Sequence, residues 1–248
     1  MLSECKGKLT QKKEMLSLPE LDPPKHVRLK FCKVGKLQYI SHLDLQRAFN
    51  RILVRACIPV WYTKGFNPHI KLVFSTPLSV GSESICEYLD IRLSRNISFD
   101  EIKERLNAEM TDEFYIMDVY EPQNDFSSIA YASYDISIYT DGASEELAKK
   151  INGVLSSSPI NMIKKGKAGE REIDITELIK SAETAYNADR GSIELKVVLS
   201  ASSTQYLNPE MLITALKDRC DILSGDPTEE HYSILRTALK KEDMSEFF

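Results

Sequence analysis

Long apolar runs are missing from this 248-residue chain. None approaches the roughly 18 residues that cross a membrane as a helix. The opening residues, MLSECKGKLTQKKEML, have no apolar centre and no small-residue cleavage site, which argues against a secretory signal. The expectation is a cytoplasmic protein without membrane contact. Cysteine is sparse: Cys5, Cys32, Cys57, Cys86 and Cys220 are odd in number and widely spaced. No pair has the two-residue gap of a zinc ribbon or a dithiol redox site, and no triplet suits an iron–sulfur cluster. The thiols read as free and buried, and no metal or cofactor is expected. A Walker loop, GxSxG, HExxH and the dinucleotide-binding glycine fingerprint are all absent.

What the chain does have is charge, unevenly placed. The formal net charge is −5. Yet residues 25–75 carry ten Lys and Arg against one acid, Asp44, while residues 76–248 sum to −14. A basic segment on an acidic body points to an anionic partner at one face.

Residues 1–25 are polar and end in LDPPKH, the composition of a flexible tail before a Pro-Pro boundary. Next, HVRLKFCKV alternates with a period of two, as a half-buried strand does. In SHLDLQRAFNRILVRAC, Leu45, Phe49, Ile52, Leu53 and Ala56 share one helical face, and Ser41 with Asp44 has capping-box spacing. Pro59 stops that helix and opens the strand PVWYT. The runs IKLVFSTPL and ICEYLDIRLS read as strands, SFDEIKERLNAEM as a helix capped by Ser98, and FYIMDVYEP as a strand. The order is β-α-β-β-α-β, with the second strand split.

The second half repeats it more weakly. YDISIYT is a strand, SEELAKKINGVLSS a helix, PINMIKK a strand and DITELIKSA a short helical insertion. GSIELKVVLS is a strand, NPEMLITALKDRC a helix started by Asn208-Pro209, and HYSILRTALK the last strand. The expected fold is α+β: two tandem ferredoxin-like domains with antiparallel sheets, over 26–122 (basic-faced) and 131–243 (acidic).

Two features could carry chemistry in the first half. Arg47, Arg51 and Arg55 stand at i, i+4 and i+8, on the side of their helix away from the apolar face. Guanidinium groups in file suit successive phosphates. In WYTKGFNPHIK, Gly65 and Asn67-Pro68 define a bend that gathers Lys64, Phe66, Asn67 and His69, with Lys71 beyond. An aromatic among amide, imidazole and ammonium groups suits a splayed RNA base. In the contrasting structural reading, Phe66 tucks into the core and His69 binds a backbone carbonyl. An enzymatic alternative uses His42 or His69 as the general base of a metal-independent endoribonuclease. A further basic loop, KKGKAGEREIDI, holds Lys164, Lys165, Lys167 and Arg171.

The elements Lys33-x-Gly35, SHLDLQR (41–47), GFNPH with Lys71 (65–71), PLSVG (77–81) and EYLDI (87–91) together resemble the radical SAM-linked protein family, a bacterial family of unknown function. The resemblance is close over 26–121 and looser in GEREIDITELI and NPEMLITAL. It implies a stand-alone accessory protein of a radical SAM enzyme, with a link to RNA or ribosome modification. Ile70 departs from the family pattern, which commonly has a second Pro there. Three functions follow as expectations: a non-catalytic RNA-binding or substrate-presenting module, the endoribonuclease, and a protein-only adaptor of the radical SAM partner.

Overall fold

A computed structural model describes residues 10, 13, 15–157, 159–166 and 169–248; the side chains of Lys164, Lys165, Glu170 and Arg171 lie outside the description. The fold is mixed α+β with antiparallel sheets. The chain divides into two compact units. One is built from the residues up to Val80, Ser84–Asp125 and Phe248, the other from Gly81–Glu83 and Phe126–Phe247.

In the first unit the elements are β1 (Glu20–Lys33), a 3-10 turn (Gly35–Tyr39), α1 (His42–Arg55), β2 (Val73–Phe74), β3 (Ser82–Arg95), α2 (Phe99–Asn107) and β4 (Phe114–Tyr120). The strands lie in the order β4-β1-β3-β2, each pair antiparallel. Both helices start as their sequences dictate. The Asp44 amide donates to the Ser41 hydroxyl at 3.1 Å and the Glu101 amide to the Ser98 hydroxyl at 3.2 Å, each satisfying a first-turn donor. Leu45, Phe49, Ile52 and Leu53 of α1, with Ile102 and Leu106 of α2, share one core with Val27, Leu29, Phe31, Leu89, Ile91 and Leu93. Both helices therefore cover the same sheet face. Four phenylalanines anchor that core edge to face, Phe31 lying 4.9 Å from Phe49 and 5.8 Å from Phe114, and Phe74 5.8 Å from Phe49.

Residues 20–25, assigned to a tail from sequence, begin β1: Glu20 lies opposite Arg95 and Lys25 opposite Leu93. Further up the chain the structure again departs from the expected tail: Met15, Leu16 and Ser17 are helical and Met15 is buried in the core, while residues 1–9, 11, 12 and 14 fall outside the described residues. Strand β1 is also more than half-buried. Arg28, on the face away from the helices, is only 1% exposed and grips Asp90 through two hydrogen bonds, at 2.7 and 2.8 Å.

The second unit holds β5 (Ile129–Tyr139), α3 (Glu145–Ser156), β6 (Asn161–Gly166), β7 (Gly169–Asp174), β8 (Ile179–Asn187), β9 (Ser192–Ser200), α4 (Pro209–Cys220) and β10 (His231–Lys241). Its main sheet runs β10-β5-β9-β8, again antiparallel throughout. PINMIKK is a strand but not part of this sheet, since β6 and β7 form a separate hairpin. The expected helix over DITELIKSA is a 3-10 turn at Thr176–Leu178 that runs straight into β8. Lys, Glu and Ala in this stretch favour a helix locally, but the backbone partners offered by β9 decide the outcome. Asn208 caps α4, its side-chain oxygen accepting from the Glu210 amide at 3.1 Å.

Candidate nucleic-acid interface

The segment Pro59–Phe74 runs along the edge of β3, leaves it and returns. The Ser94 amide donates to the Pro59 carbonyl at 2.7 Å and the Trp61 amide to the Arg92 carbonyl at 2.8 Å. Pairing with β3 resumes at Val73, opposite Asp90. Between these points the chain makes a hairpin, closed by an isolated bridge between Tyr62 and Ile70. Of the split second strand expected from sequence, PVWYT makes only isolated bridges, at Val60 and Tyr62, and of IKLVFSTPL only Val73 and Phe74 are strand.

The hairpin is held from inside. The Thr63 amide donates to the His69 carbonyl at 2.9 Å, and the His69 amide donates to the Thr63 hydroxyl at 3.1 Å. His69 Nδ1 lies 3.1 Å from both the Thr63 hydroxyl and the Asn67 carbonyl. Gly65 has φ 137°, which a side chain would strain. Pro68 fixes the next bend. A well-tied loop normally hides its aromatic residue, but Phe66 is fully exposed at the tip. Lys64, Asn67, His69 and Lys71 are exposed around it. The structure therefore gathers the hairpin residues as expected and leaves Phe66 outside the core.

The arginine file is different. Arg47, Arg51 and Arg55 all lie on the outer side of α1 and are exposed. Two of them are engaged. Arg47 bonds Asp44 at 3.1 Å, and Arg55 bonds Glu109 at 2.6 Å, the carboxylate being almost buried. The Ser41 hydroxyl, then the Arg47 guanidinium, hold the Asp44 carboxyl below its ordinary range. Arg51 alone of the three makes no ion pair among the described residues. Sequence spacing suggested a file without acids, because Glu109 is distant in the chain and Asp44 was counted only as a cap.

Nor do all ten basic residues form one patch. Arg28 is buried on Asp90, and the Lys33 ammonium, also buried, donates to the Gln38 carbonyl at 3.2 Å and pins the 3-10 turn. Alternation along β3 puts Arg92 on the face away from the helices, where its guanidinium lies 5.5 Å from the Trp61 ring. The arginine file of α1 belongs to the opposite layer. Trp61 on Arg92 is a cation–π pair that sequence reading missed, since only strand register brings the two together.

Residues 26–209 match the family described as "Uncharacterized protein conserved in bacteria" (DUF2344). The chain belongs to that family. No curated protein matches it. Every candidate residue of this DUF2344 chain, from His42 to Lys71, lies inside the matched span. His42 is the first residue of α1 and sits edge-on to Phe74, ring centroids 4.9 Å apart. Among the described residues of the DUF2344 chain, no group of three or more His, Cys, Asp or Glu is placed to hold a metal ion. Cys32, Cys86 and Cys220 are buried free thiols, and Cys57 is half-buried; Cys5 lies outside the described residues. Among the described residues, no helix is long and apolar enough to cross a membrane. The basic loop expected around Lys164–Arg171 falls on the β6–β7 hairpin. Lys167 lies outside the described residues, as do the side chains of Lys164, Lys165 and Arg171.

Proposed function

We propose that this chain is a non-catalytic module that binds single-stranded RNA and presents it to a radical SAM enzyme, and that each of its two units is a ferredoxin-like domain. The strand order 4-1-3-2 with antiparallel neighbours, found in both units, supports the fold assignment. Fold alone says nothing of the ligand. The observation that carries the RNA reading is the exposed Phe66 on an internally clamped hairpin between Lys64 and Lys71. A base stacks on the Phe66 ring, Asn67 bonds its edge, and the two ammonium groups take the adjoining phosphates. Arg51 extends the phosphate track. His69 positions the loop, because its Nδ1 is spent on Thr63 and Asn67.

The test is fluorescence anisotropy with a labelled single-stranded 12-mer RNA at two salt concentrations. Binding that weakens as salt rises, and falls about tenfold or more in Phe66→Ala, is expected from the usual value of one aromatic–base stack. A further loss is expected in the Lys64→Ala/Lys71→Ala double variant. No binding at low salt, or full binding by both variants, defeats the reading. Cleavage of the RNA in EDTA that is lost in His42→Ala or His69→Ala supports the enzyme instead. The radical SAM partnership is tested separately, by co-expression and gel filtration after nuclease treatment.

A further inference from the structure

Both helices of the first unit cover one face of its sheet, and strand alternation decides what stands on the other. Ile70, Leu72 and Phe74 pack on the helix side, so Lys71 and Val73 turn to the outer face. Val73 lies opposite Asp90 there, and Arg92 follows two residues along β3. Val60 belongs to the core, so Trp61 turns outward beside Arg92, to whose carbonyl its amide donates at 2.8 Å. The outer side of the hairpin thus runs on into the sheet, from exposed Lys71 to the half-buried pair Trp61 and Arg92.

Arg92 has a fixed direction and no partner to bond. Its guanidinium lies 5.5 Å from the centre of the Trp61 ring, and among the described residues it makes neither a hydrogen bond nor an ion pair. The residue opposite it on β1 is His26, which is exposed and not an acid. Two residues back on the same face, the Asp90 carboxylate is already held by Arg28 through two hydrogen bonds. Partial burial takes hydration from the Arg92 guanidinium, and no protein acceptor replaces it. An anion arriving there meets a cation that the Trp61 ring has already oriented.

We infer that Trp61 and Arg92 form a second nucleotide contact: the RNA strand whose base stacks on Phe66 runs past Lys71 on to the outer sheet face, where Arg92 takes a phosphate and the adjoining base packs against the pair. The inference rests on the RNA reading of the hairpin and extends it by one nucleotide position. Two features select this occupant. The guanidinium fork matches the paired oxygens of a phosphate. A large aromatic ring beside that cation suits a base, and single strands are held by this combination of charge and stacking. An acidic peptide would satisfy Arg92 and leave Trp61 without a role.

Trp61 is the only tryptophan of the chain, so its emission reports this position with no substitution at all. The experiment titrates the full chain with the labelled single-stranded 12-mer RNA and follows anisotropy and tryptophan emission together, at several salt concentrations. The expected result is a change in Trp61 emission with the same midpoint as the anisotropy. Arg92→Ala should bind about tenfold more weakly at low salt, the loss expected of one charged hydrogen-bonding contact. Its slope of log affinity against log salt should shrink by about 0.7, one phosphate's share on a single strand. Arg92→Lys keeps the charge and should keep that slope. Unchanged far-UV circular dichroism certifies the fold of each variant, and the emission measurement on the unsubstituted chain decides the matter even where a variant fails to fold. RNA that binds by anisotropy without moving Trp61 emission overturns the inference and leaves the Phe66 site standing. So does a folded Arg92→Ala with the affinity and salt slope of the parent chain. No anisotropy change at any salt concentration removes the hairpin reading and this one together.

Discussion

Thr63 and His69 face each other across the base of the Lys64–Pro68 hairpin and exchange backbone and side-chain hydrogen bonds, with the His69 amide 3.1 Å from the Thr63 hydroxyl. The clasp is what turns a seven-residue excursion into a fixed platform for Phe66. Thr63→Val keeps the side-chain shape and deletes the acceptor. About 1 kcal/mol of local stability should go with it. Amide exchange at residues 64–69 should quicken several-fold while the global melting temperature stays nearly unchanged. Unaltered exchange would mean that the clasp is not what holds the loop.

Arg51 and Arg55 look equivalent in the sequence and are not. Arg55→Ala removes the partner of an almost buried carboxylate, Glu109. Arg51→Ala removes an exposed group that has no ion pair among the described residues. Denaturant unfolding should show a loss of about 1 kcal/mol for Arg55→Ala and within about 0.5 kcal/mol of no change for Arg51→Ala. Equal effects would refute the distinction.

Arg28 and Asp90 form a two-bond pair with the guanidinium buried. Asp90→Ala takes the carboxylate away from that buried charge, leaving it the Asn124 carbonyl, and should cost about 3 kcal/mol. The double change Arg28→Met/Asp90→Val should cost clearly less than the two single changes together, as a thermal-unfolding cycle can show. Additive losses would mean the pair does not act as a unit.

Glu230 should make the second unit sensitive to acid. Its carboxylate accepts from the Thr140 hydroxyl, then from the Asp141 and Gly225 amides, and these bonds hold its pKa below the ordinary 4.5. The unfolded carboxyl therefore takes up its proton at a higher pH than the folded one. The stabilisation is complete above about pH 4.5 and is lost as pH falls through the lower, folded value. Glu230→Gln should lower stability at pH 7 and flatten the dependence below pH 4.5. A variant with the wild-type slope would place the acid response elsewhere.

Local signals in the sequence settled much of the fold. Ser41, Ser98 and Asn208 cap their helices because a cap needs only residues two or three positions away. The core face of α1 follows from helical period alone, and the bend at Gly65 and Asn67-Pro68 from backbone sterics. Partners distant in the chain were not legible. Arg28 counts as one of ten basic residues until Asp90, 62 positions later, draws it inside. Glu109 takes Arg55, and Arg92 lies under Trp61, only because strands and helices align them. The stretch DITELIKSA fails for the same reason, since β9 supplies hydrogen-bond partners that outweigh its helical composition. Composition and short-range spacing thus determined which basic residues this protein carries and how they are spaced. Tertiary pairing decided which of them reach solvent, because burial and ion pairing depend on neighbours that sequence distance does not reveal.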